Sequence, residues 1–382
     1  MTEFLHAADL HLKERTWKHR CDVSGDAFCA LRQIEEYLDK NDAISVVAFS
    51  GDIVDSRNPS DVTIRSLLSC VQNIQERGVQ VVVVSGNHDP SAESHWTCMP
   101  GVHALHLGGN TSCTQLHGLN FYGMDFTPQS RLMESLVRIP ADADVVLMHQ
   151  MLVEAAGNLY PGDLSVEDLP PARDKWRYYA MGDYHGSWTW KSDELKVVAA
   201  YPGSTYPTSI SEFSQKMCWH VSMEPGGKSP PVMKSFPLES RQLIKVAIEG
   251  VEDLSRALSE VQAEITVGKN QEIAHPVVLV VYTTFPGAAS LISEKFGDLD
   301  AHLVMKPRPS DLAGLDVESA ESVEQPVSLE EAIRQVMDNT FDKDTAGLTQ
   351  ELLGSASPAD VVAQWRSKFT GDQNADRKTP VV

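Results

Sequence analysis

Five short runs along the chain carry side chains of the kind that hold metal ions: Asp9-Leu10-His11, Gly51-Asp52-Ile53-Val54-Asp55, Gly86-Asn87-His88-Asp89, His149, and Gly182-Asp183-Tyr184-His185. Carboxylate, imidazole and amide oxygen without thiolate form a hard to borderline donor set, suited to Mn2+, Mg2+ or Fe2+ and acceptable to Zn2+. Together the runs offer donors for two ions, with one histidine left over for proton chemistry. A carboxylate bridging two cations about 3.5–4 Å apart helps to stabilise both the attacking and the leaving oxygen of an in-line displacement at phosphorus. Phosphoester cleavage is therefore the reaction this set suits best. Each run alone says little, because Asp-x-His can be a capping aspartate beside a surface histidine and Gly-Asp after a strand is a common turn. Their joint occurrence is what points to a site.

Strands must position these residues. Residues 4–8 read as a short strand running into Asp9, and Val46-Val47-Ala48-Phe49-Ser50 as a buried strand ending at Gly51-Asp52. The β-branched run Val79 to Val84 ends at Ser85-Gly86-Asn87-His88, Asp144 to Met148 leads into His149, and Tyr178 to Met181 leads into Gly182. Two helices separate the first three strands. Phe28, Leu31, Ile34 and Leu38 recur at helical spacing. Pro59-Ser60-Asp61 opens a second helix, with Ile64, Leu67, Leu68, Val71 and Ile74 on one face, which stops at Gly78. Shorter strands are expected over Val102 to Leu107 and Leu119 to Gly123. The alternation predicts an α/β fold with its polar motifs in loops at the carboxyl ends of strands, where open α/β sheets place ligands.

From about residue 240 the texture changes. Leu243 to Ile248, Pro276 to Thr283 and Ala301 to Met305 read as strands, and Val251 to Ile265 and Gly287 to Phe296 as helices. This βαβαβ run has no chemical motif. The expected organisation is a catalytic domain over 1–238, a small capping domain that shapes the substrate over 239–308, a linker over 309–327 and a helical region over 328–382. In the last, Ser328-Leu329-Glu330-Glu331 has the form of a capping box, and Ser357-Pro358-Ala359-Asp360 opens a helix with Val361, Val362, Trp365 and Phe369 at helical spacing. Such helices need a surface to cover, either on this chain or on a partner.

The charge balance narrows the function classes. Across 382 residues, 32 Lys+Arg stand against 53 Asp+Glu, a formal net charge of -21, which argues against a protein that coats polyanions. A nucleic-acid enzyme stays open, since bound cations, a local basic strip or a partner can supply the positive field. No Walker A pattern is present, so any ATP dependence must come from a partner. The start of the chain lacks a basic n-region and no apolar run approaches the roughly 18–20 residues that cross a bilayer, so a cytoplasmic protein without a membrane partner is expected. Six cysteines spread singly, without Cys-x-x-Cys spacing, read as reduced thiols.

Asp9-x-His11, Gly51-Asp52, Gly86-Asn87-His88-Asp89, His149 and the Gly-x-x-His ending at His185 resemble the calcineurin-like metallophosphoesterase pattern, over residues 1 to about 215. Within it, His6-Ala7-Ala8-Asp9-Leu10-His11-Leu12, Gly51-Asp52-Ile53-Val54-Asp55-Ser56 and Tyr201-Pro202-Gly203-Ser204 look like the SbcD nuclease subunit and its phage counterparts. The resemblance implies a β-sandwich flanked by helices, with a small βαβαβ cap and a helical tail. It implies two divalent ions, Mn2+ preferred and Mg2+ acceptable. Asp9, His11, Asp52 and His185 would hold one, and Asp52, Asn87, His149 and Asp183 the other. His88 would protonate or stabilise the leaving oxygen, with Asp89 holding its ring. Implied partners are DNA, an SMC/ABC-type ATPase like SbcC and a second copy of the chain, inside a bacterial or phage-infected cell.

Two departures stand out. The family usually has Gly-His-x-His where this chain has Gly182-Asp183-Tyr184-His185, which exchanges an imidazole for a carboxylate and hardens that site. Lys13 stands where glycine is common after Asp-x-His-Leu. For DNA contact, Lys13, Arg15, Trp17 and Lys18 form a basic and aromatic loop after the first motif, and Arg57 follows the second. Besides the nuclease, two readings remain: a phosphodiesterase or phosphatase for a small nucleotide, and a non-catalytic subunit that binds DNA ends.

Overall fold

The computed structural model describes residues 1–17, 23–90, 96–99, 103–109, 111–157, 164–172, 174–265, 273–283, 285 and 287–308. Lys18, and the linker and helices expected over 309–382, lie outside them. The first half of the chain contributes β1 (Thr2–Ala7), α1 (Asp26–Leu38), β2 (Ile44–Ser50), α2 (Asp61–Glu76), β3 (Gln80–Val84), β4 (Leu105–His106), β5 (Thr114–Leu116), β6 (Leu119–Met124), α3 (Gln129–Leu136), β7 (Val145–His149) and β8 (Arg177–Gly182). Then come β9 (Trp188–Ser192), β10 (Val197–Tyr201), β11 (Met217–Met223), β12 (Val232–Pro237), β13 (Leu243–Ile248), α4 (Leu254–Glu264), β14 (Val277–Thr283), α5 (Ala288–Phe296) and β15 (His302–Arg308).

The strands form two six-stranded sheets, in the orders β12-β11-β1-β2-β3-β4 and β5-β6-β7-β8-β10-β9. In the first, β1 to β4 run parallel and β11 closes against β1 in antiparallel register. In the second, β6, β7, β8 and β10 are parallel, with β5 and β9 as antiparallel edges. Because successive side chains of a strand point to opposite faces, each apolar run serves two cores. Phe4, Val46, Ala48, Val82 and Val84 meet Phe121, Val145, Leu147, Tyr178 and Ala180 between the sheets. Leu5, Val47, Phe49, Val81 and Val83 face α1 and α2 instead. Tyr122, Val146, Met148, Tyr179 and Met181 cover the opposite outer face, against Leu132 and Leu136 of α3. The result is a β-sandwich flanked by helices, an α/β fold as the sequence implied.

Helix α2 starts where the sequence placed it, because the Ser60 hydroxyl accepts the Thr63 amide (3.2 Å) as an N-cap. The strand expected from Val102 narrows to Leu105–His106 among the described residues. Strands β9 to β12, which complete both sheets, were not singled out by pattern.

Strands β13, β14 and β15 form a third, wholly parallel sheet, whose one face packs on α4 and α5 through Ile244, Val246, Ala257, Val261, Ile292 and Phe296. Its other face places Val277, Leu279 and Val304 against Val23, with Trp17 and Ile210 at the margin. Beside this seam lies a buried ion pair: Arg241 Nε donates to Asp26 Oδ1 (2.8 Å) and Nη2 to Oδ2 (3.1 Å). Arg241 also caps the carbonyls of His275 and Ser24, which ties the start of the third sheet to the base of α1.

Candidate metal centre

The loops that follow β1, β2, β3, β7 and β8 converge. Past the strand ends the first two continue side by side: Asp9 N donates to Gly51 O (3.1 Å), His11 N to Asp52 O (2.8 Å) and Leu12 N to Ile53 O (3.0 Å). Two links then cross between the sheets. His149 Nδ1 donates to Ser50 O (2.8 Å), and Asp183 N donates to the Asp9 carboxylate (3.1 and 3.2 Å).

Such close approach needs missing side chains and unusual backbone. A Cβ on Gly51 would stand 2.3 Å from His149 Nδ1, one on Gly86 2.1 Å from Asp52 Oδ1, and one on Gly182 1.9 Å from Ser50 O. Six non-glycine residues have positive φ among the described residues, and four belong here: Asp9 (51°), His11 (38°), Asp52 (49°) and Asp183 (93°). Left-handed backbone at ordinary residues is unfavourable and persists where the surrounding structure enforces it. Its concentration at one spot marks a site built for geometry.

Among the described residues, three groups each bring their donor atoms within 4.8 Å of one another: Asp9, His11 and His185; His11, Asp52 and His88; and Asp9, Asp52 and His149. Asp52 Oδ2 is shared, 3.4 Å from His11 Nε2 and 3.5 Å from His149 Nε2, while its Oδ1 accepts the His88 amide (2.9 Å). His185 Nε2 faces His11 Nε2 at 3.2 Å. Asp183 Oδ1 lies 3.7 Å from His149 Nε2, beside these groups and in none of them. Asn87 occupies an exposed turn next to Asp52's partner His88, and Arg57 Nη2 reaches its carbonyl at 3.5 Å.

The electrostatics show which charge the centre suits. His149 is fully buried, its Nδ1 hydrogen committed to Ser50 O, and its Nε2 makes no hydrogen bond. Burial disfavours charge on that ring, yet the carboxylates of Asp52, Asp9 and Asp183 outweigh it and raise its pKa to about 10. Asp52 stays ionised: burial works against it, and the His149 and His11 rings and the His88 amide pull its pKa far below the usual range. A buried cluster of carboxylates therefore suits positive charge at the place where His149 aims a ring nitrogen that has no hydrogen-bond partner. A divalent cation fits that demand better than a proton, since it satisfies several donors at once. The donor set, oxygen and imidazole without thiolate, fits a hard to borderline ion.

Other expected residues are placed differently. Asp89 does not hold the His88 ring. Its Oδ1 accepts the amides of Ile53 (2.9 Å) and Val54 (3.1 Å), and its Oδ2 that of Gly86 (2.8 Å). Burial, with the Asp52 charge adding to it, lifts Asp89 to about 6 against those amide donors. It clamps the loops that follow β2 and β3. The His88 Nδ1 instead lies 3.0 Å from the Asp55 carbonyl, leaving the ring exposed at the rim. Lys13 is turned onto Asp55 (2.8 Å), and Trp17 is half-buried with its Nε1 on Thr208 O (3.1 Å), so neither is presented to a nucleic acid. Arg15 and Arg57 are exposed.

A group that sequence reasoning missed backs His185: its Nδ1 meets Glu212 Oε1 (2.9 Å), and Lys216 lies behind Glu212. No motif announces them. Their one local signal is the four-residue spacing of Glu212 and Lys216 in a loop shortly after Tyr201-Pro202-Gly203-Ser204.

Comparison with known proteins agrees with this geometry. A family profile described as calcineurin-like phosphoesterase matches residues 2–187. The chain is 24% identical over 257 residues to "DNA double-strand break repair protein Mre11" of Methanosarcina acetivorans, an alignment covering 65% of this chain and 41% of that protein. With the protein of the same name from Haloferax volcanii it shares 25% over 280 residues, 70% of this chain and 60% of that one. A third relative, "Uncharacterized metallophosphoesterase YhaO" of Bacillus subtilis, is 20% identical over 318 residues, 78% of this chain and 76% of its own length. The chain thus spans less than two thirds of the two Mre11 proteins. The converging strand ends and the profile match cover the same stretch, and residues 2–187 are a calcineurin-like metallophosphoesterase domain.

Proposed function

We propose that the protein is a two-metal phosphodiesterase that cuts DNA, working as the nuclease subunit of a complex with an SMC-type ATPase in the processing of DNA ends. The observation that carries this reading is the sharing of Asp52 Oδ2 between His11 and His149, which places one carboxylate between two donor groups. Asp9, His11, Asp52 and His185 would hold one ion, and Asp52, His149, Asn87 and Asp183 the other, with Mn2+ preferred over Mg2+. Bound there, two divalent ions supply Lewis-acid polarisation of the phosphodiester and offset its developing charge.

The chain's own residues do the rest. Strained backbone and the three close-packed glycines fix the donors before substrate arrives, so little reorganisation is needed in the reaction. His88 keeps Nδ1 on the Asp55 carbonyl (3.0 Å), which leaves Nε2 for proton chemistry. Its imidazolium passes the Nε2 proton to the leaving oxygen, and its T-shaped contact with His11 (centroids 5.0 Å apart) holds the ring beside the donors. Exposure of His88 at the rim suits a large substrate approaching from solvent. The relatives named for double-strand break repair support DNA as that substrate.

A second reading, hydrolysis of a small nucleotide ester, gains from the inward turn of Lys13 and Trp17, which removes two of the expected DNA contacts. The purified chain should be incubated with linear duplex DNA and, separately, with a chromogenic phosphodiester, in Mn2+, Mg2+ and chelator. Mn2+-dependent DNA cleavage that is lost in His88→Ala is the expected result. Turnover of the small ester without DNA cleavage, even with the ATPase supplied, would establish the second reading instead.

A further inference from the structure

We propose that Glu212 is a positioning residue, which fixes the His185 ring as a donor through Nε2, and that the buried Lys216 fixes Glu212. The inference rests on the reading of His185 as a metal ligand.

Glu212 has no exposed work to do. Its Oε1 lies 2.9 Å from His185 Nδ1 and accepts the Thr208 hydroxyl (2.6 Å). Its Oε2 accepts the Lys216 ammonium (2.6 Å), the Ser204 hydroxyl (2.9 Å) and the Thr208 amide (3.2 Å). A carboxylate facing Nδ1 places the ring hydrogen there and leaves the Nε2 lone pair bare. That lone pair points toward His11 Nε2 (3.2 Å) and Asp9 Oδ1 (4.0 Å). A carboxylate behind a histidine fixes the tautomer and the ring plane and raises the basicity of the far nitrogen, the three properties a ligand needs.

Lys216 makes the arrangement rigid. Its side chain is 1% exposed, and its ammonium meets Glu212 Oε2 (2.6 Å), Ser204 Oγ (2.8 Å) and the His185 carbonyl (3.4 Å). The same carbonyl accepts the Ser204 amide (3.2 Å). His185 is therefore gripped at its ring and at its backbone by one segment, residues 204–216. A buried ion pair contributes little net stability when weighed against apolar residues of similar volume. The function of this one lies in geometry.

The test combines two readouts on the full chain. Nitrogen chemical shifts of the His185 ring, recorded without metal, report its tautomer, and calorimetric titration with Mn2+ reports affinity. In the wild type the hydrogen is expected on Nδ1. Glu212→Leu should release it and weaken one of two Mn2+ sites by about 10- to 100-fold, while the isosteric Glu212→Gln, which keeps an acceptor, should restore most of the affinity. Because Glu212 acts through His185, adding Glu212→Leu to His185→Ala should produce no further loss. An Nδ1 hydrogen and unchanged Mn2+ binding in Glu212→Leu would overturn the proposal; should that variant not fold, unchanged tautomer and affinity in Glu212→Gln would do so. Unchanged Mn2+ binding in His185→Ala, by contrast, would remove the ligand reading itself.

Discussion

His11 Nε2 and His185 Nε2 stand 3.2 Å apart with their rings inclined at 69°, although 174 residues separate them in the chain. That separation is within hydrogen-bond reach, with one ring donating and the other accepting according to their tautomers. Each residue is anchored from behind, the His185 ring by Glu212 and the His11 backbone by its ladder to Asp52 and by Tyr206, whose hydroxyl donates to the His11 carbonyl (2.7 Å). The fold thus brings two distant imidazole nitrogens together at one point of the candidate metal centre.

The glycines of the centre should be intolerant. Gly51 combines φ +86° with a Cβ position 2.3 Å from His149 Nδ1. Gly51→Ala is expected to push His149 off Ser50 O, to destabilise the fold by about 1–3 kcal/mol or more and to lower Mn2+ affinity. Thermal unfolding with and without Mn2+ checks both effects. Gly78 is the control: its φ is +77° with nothing within 4 Å of a Cβ, so Gly78→Ala should lower stability without touching the metal response.

The buried pair Asp26–Arg241 should matter for stability and not for chemistry. Arg241→Ala leaves the Asp26 carboxylate, 2% exposed, with the Thr16 hydroxyl as its remaining donor here. A loss of about 3–5 kcal/mol in urea unfolding is expected, and replacing both partners with apolar residues of similar volume should recover much of it.

His6 sets a pH dependence. It is fully buried beside the Tyr178 hydroxyl (3.0 Å), and burial lowers its pKa to about 3 against an ordinary 6.5. Above pH 6.5 the ring is neutral in both folded and unfolded chains, so no penalty arises. As pH falls from 6.5 toward 3 the unfolded chain takes up a proton that the folded one refuses, and stability declines by about 1.4 kcal/mol per unit from this group. The stability difference between wild type and His6→Gln, measured in urea at stepped pH, should therefore shift against the wild type on acidification.

For DNA, the placement of the basic residues separates two variants. Arg57→Ala, which removes an exposed guanidinium beside Asn87, should flatten the logarithmic salt dependence of binding by about 0.9. Lys13→Ala should leave that slope unchanged, because its ammonium is held by Asp55. Filter binding or fluorescence anisotropy over a salt series distinguishes them.

Much of the site was legible because its residues directly follow buried strands. Phe4 to Ala8 and Val46 to Ser50 are apolar enough to announce strands, and Asp9 and Asp52 come next in the chain. What the sequence hid depends on distance. Asp26 and Arg241 lie 215 residues apart, and Glu212 meets His185 from a loop with no motif of its own. The role of Asp89 was misread for a related reason. Adjacency to His88 suggested a ring partner, whereas three backbone amides of the neighbouring loops claimed the carboxylate. Trp17 looked exposed beside basic residues, yet the third sheet supplied a surface that half-buries it. Local pattern carries the positions of the candidate donors, and tertiary packing decides which neighbours hold them.

On the proposed reading Asp52 joins two cation sites. Mn2+ stoichiometry, measured by calorimetry on the wild type and on the isosteric Asp52→Asn, tests it most directly. Two ions per wild-type chain, with both sites weakened in the variant, is the predicted result. A variant that still binds two ions with wild-type affinity would exclude Asp52 as the bridge.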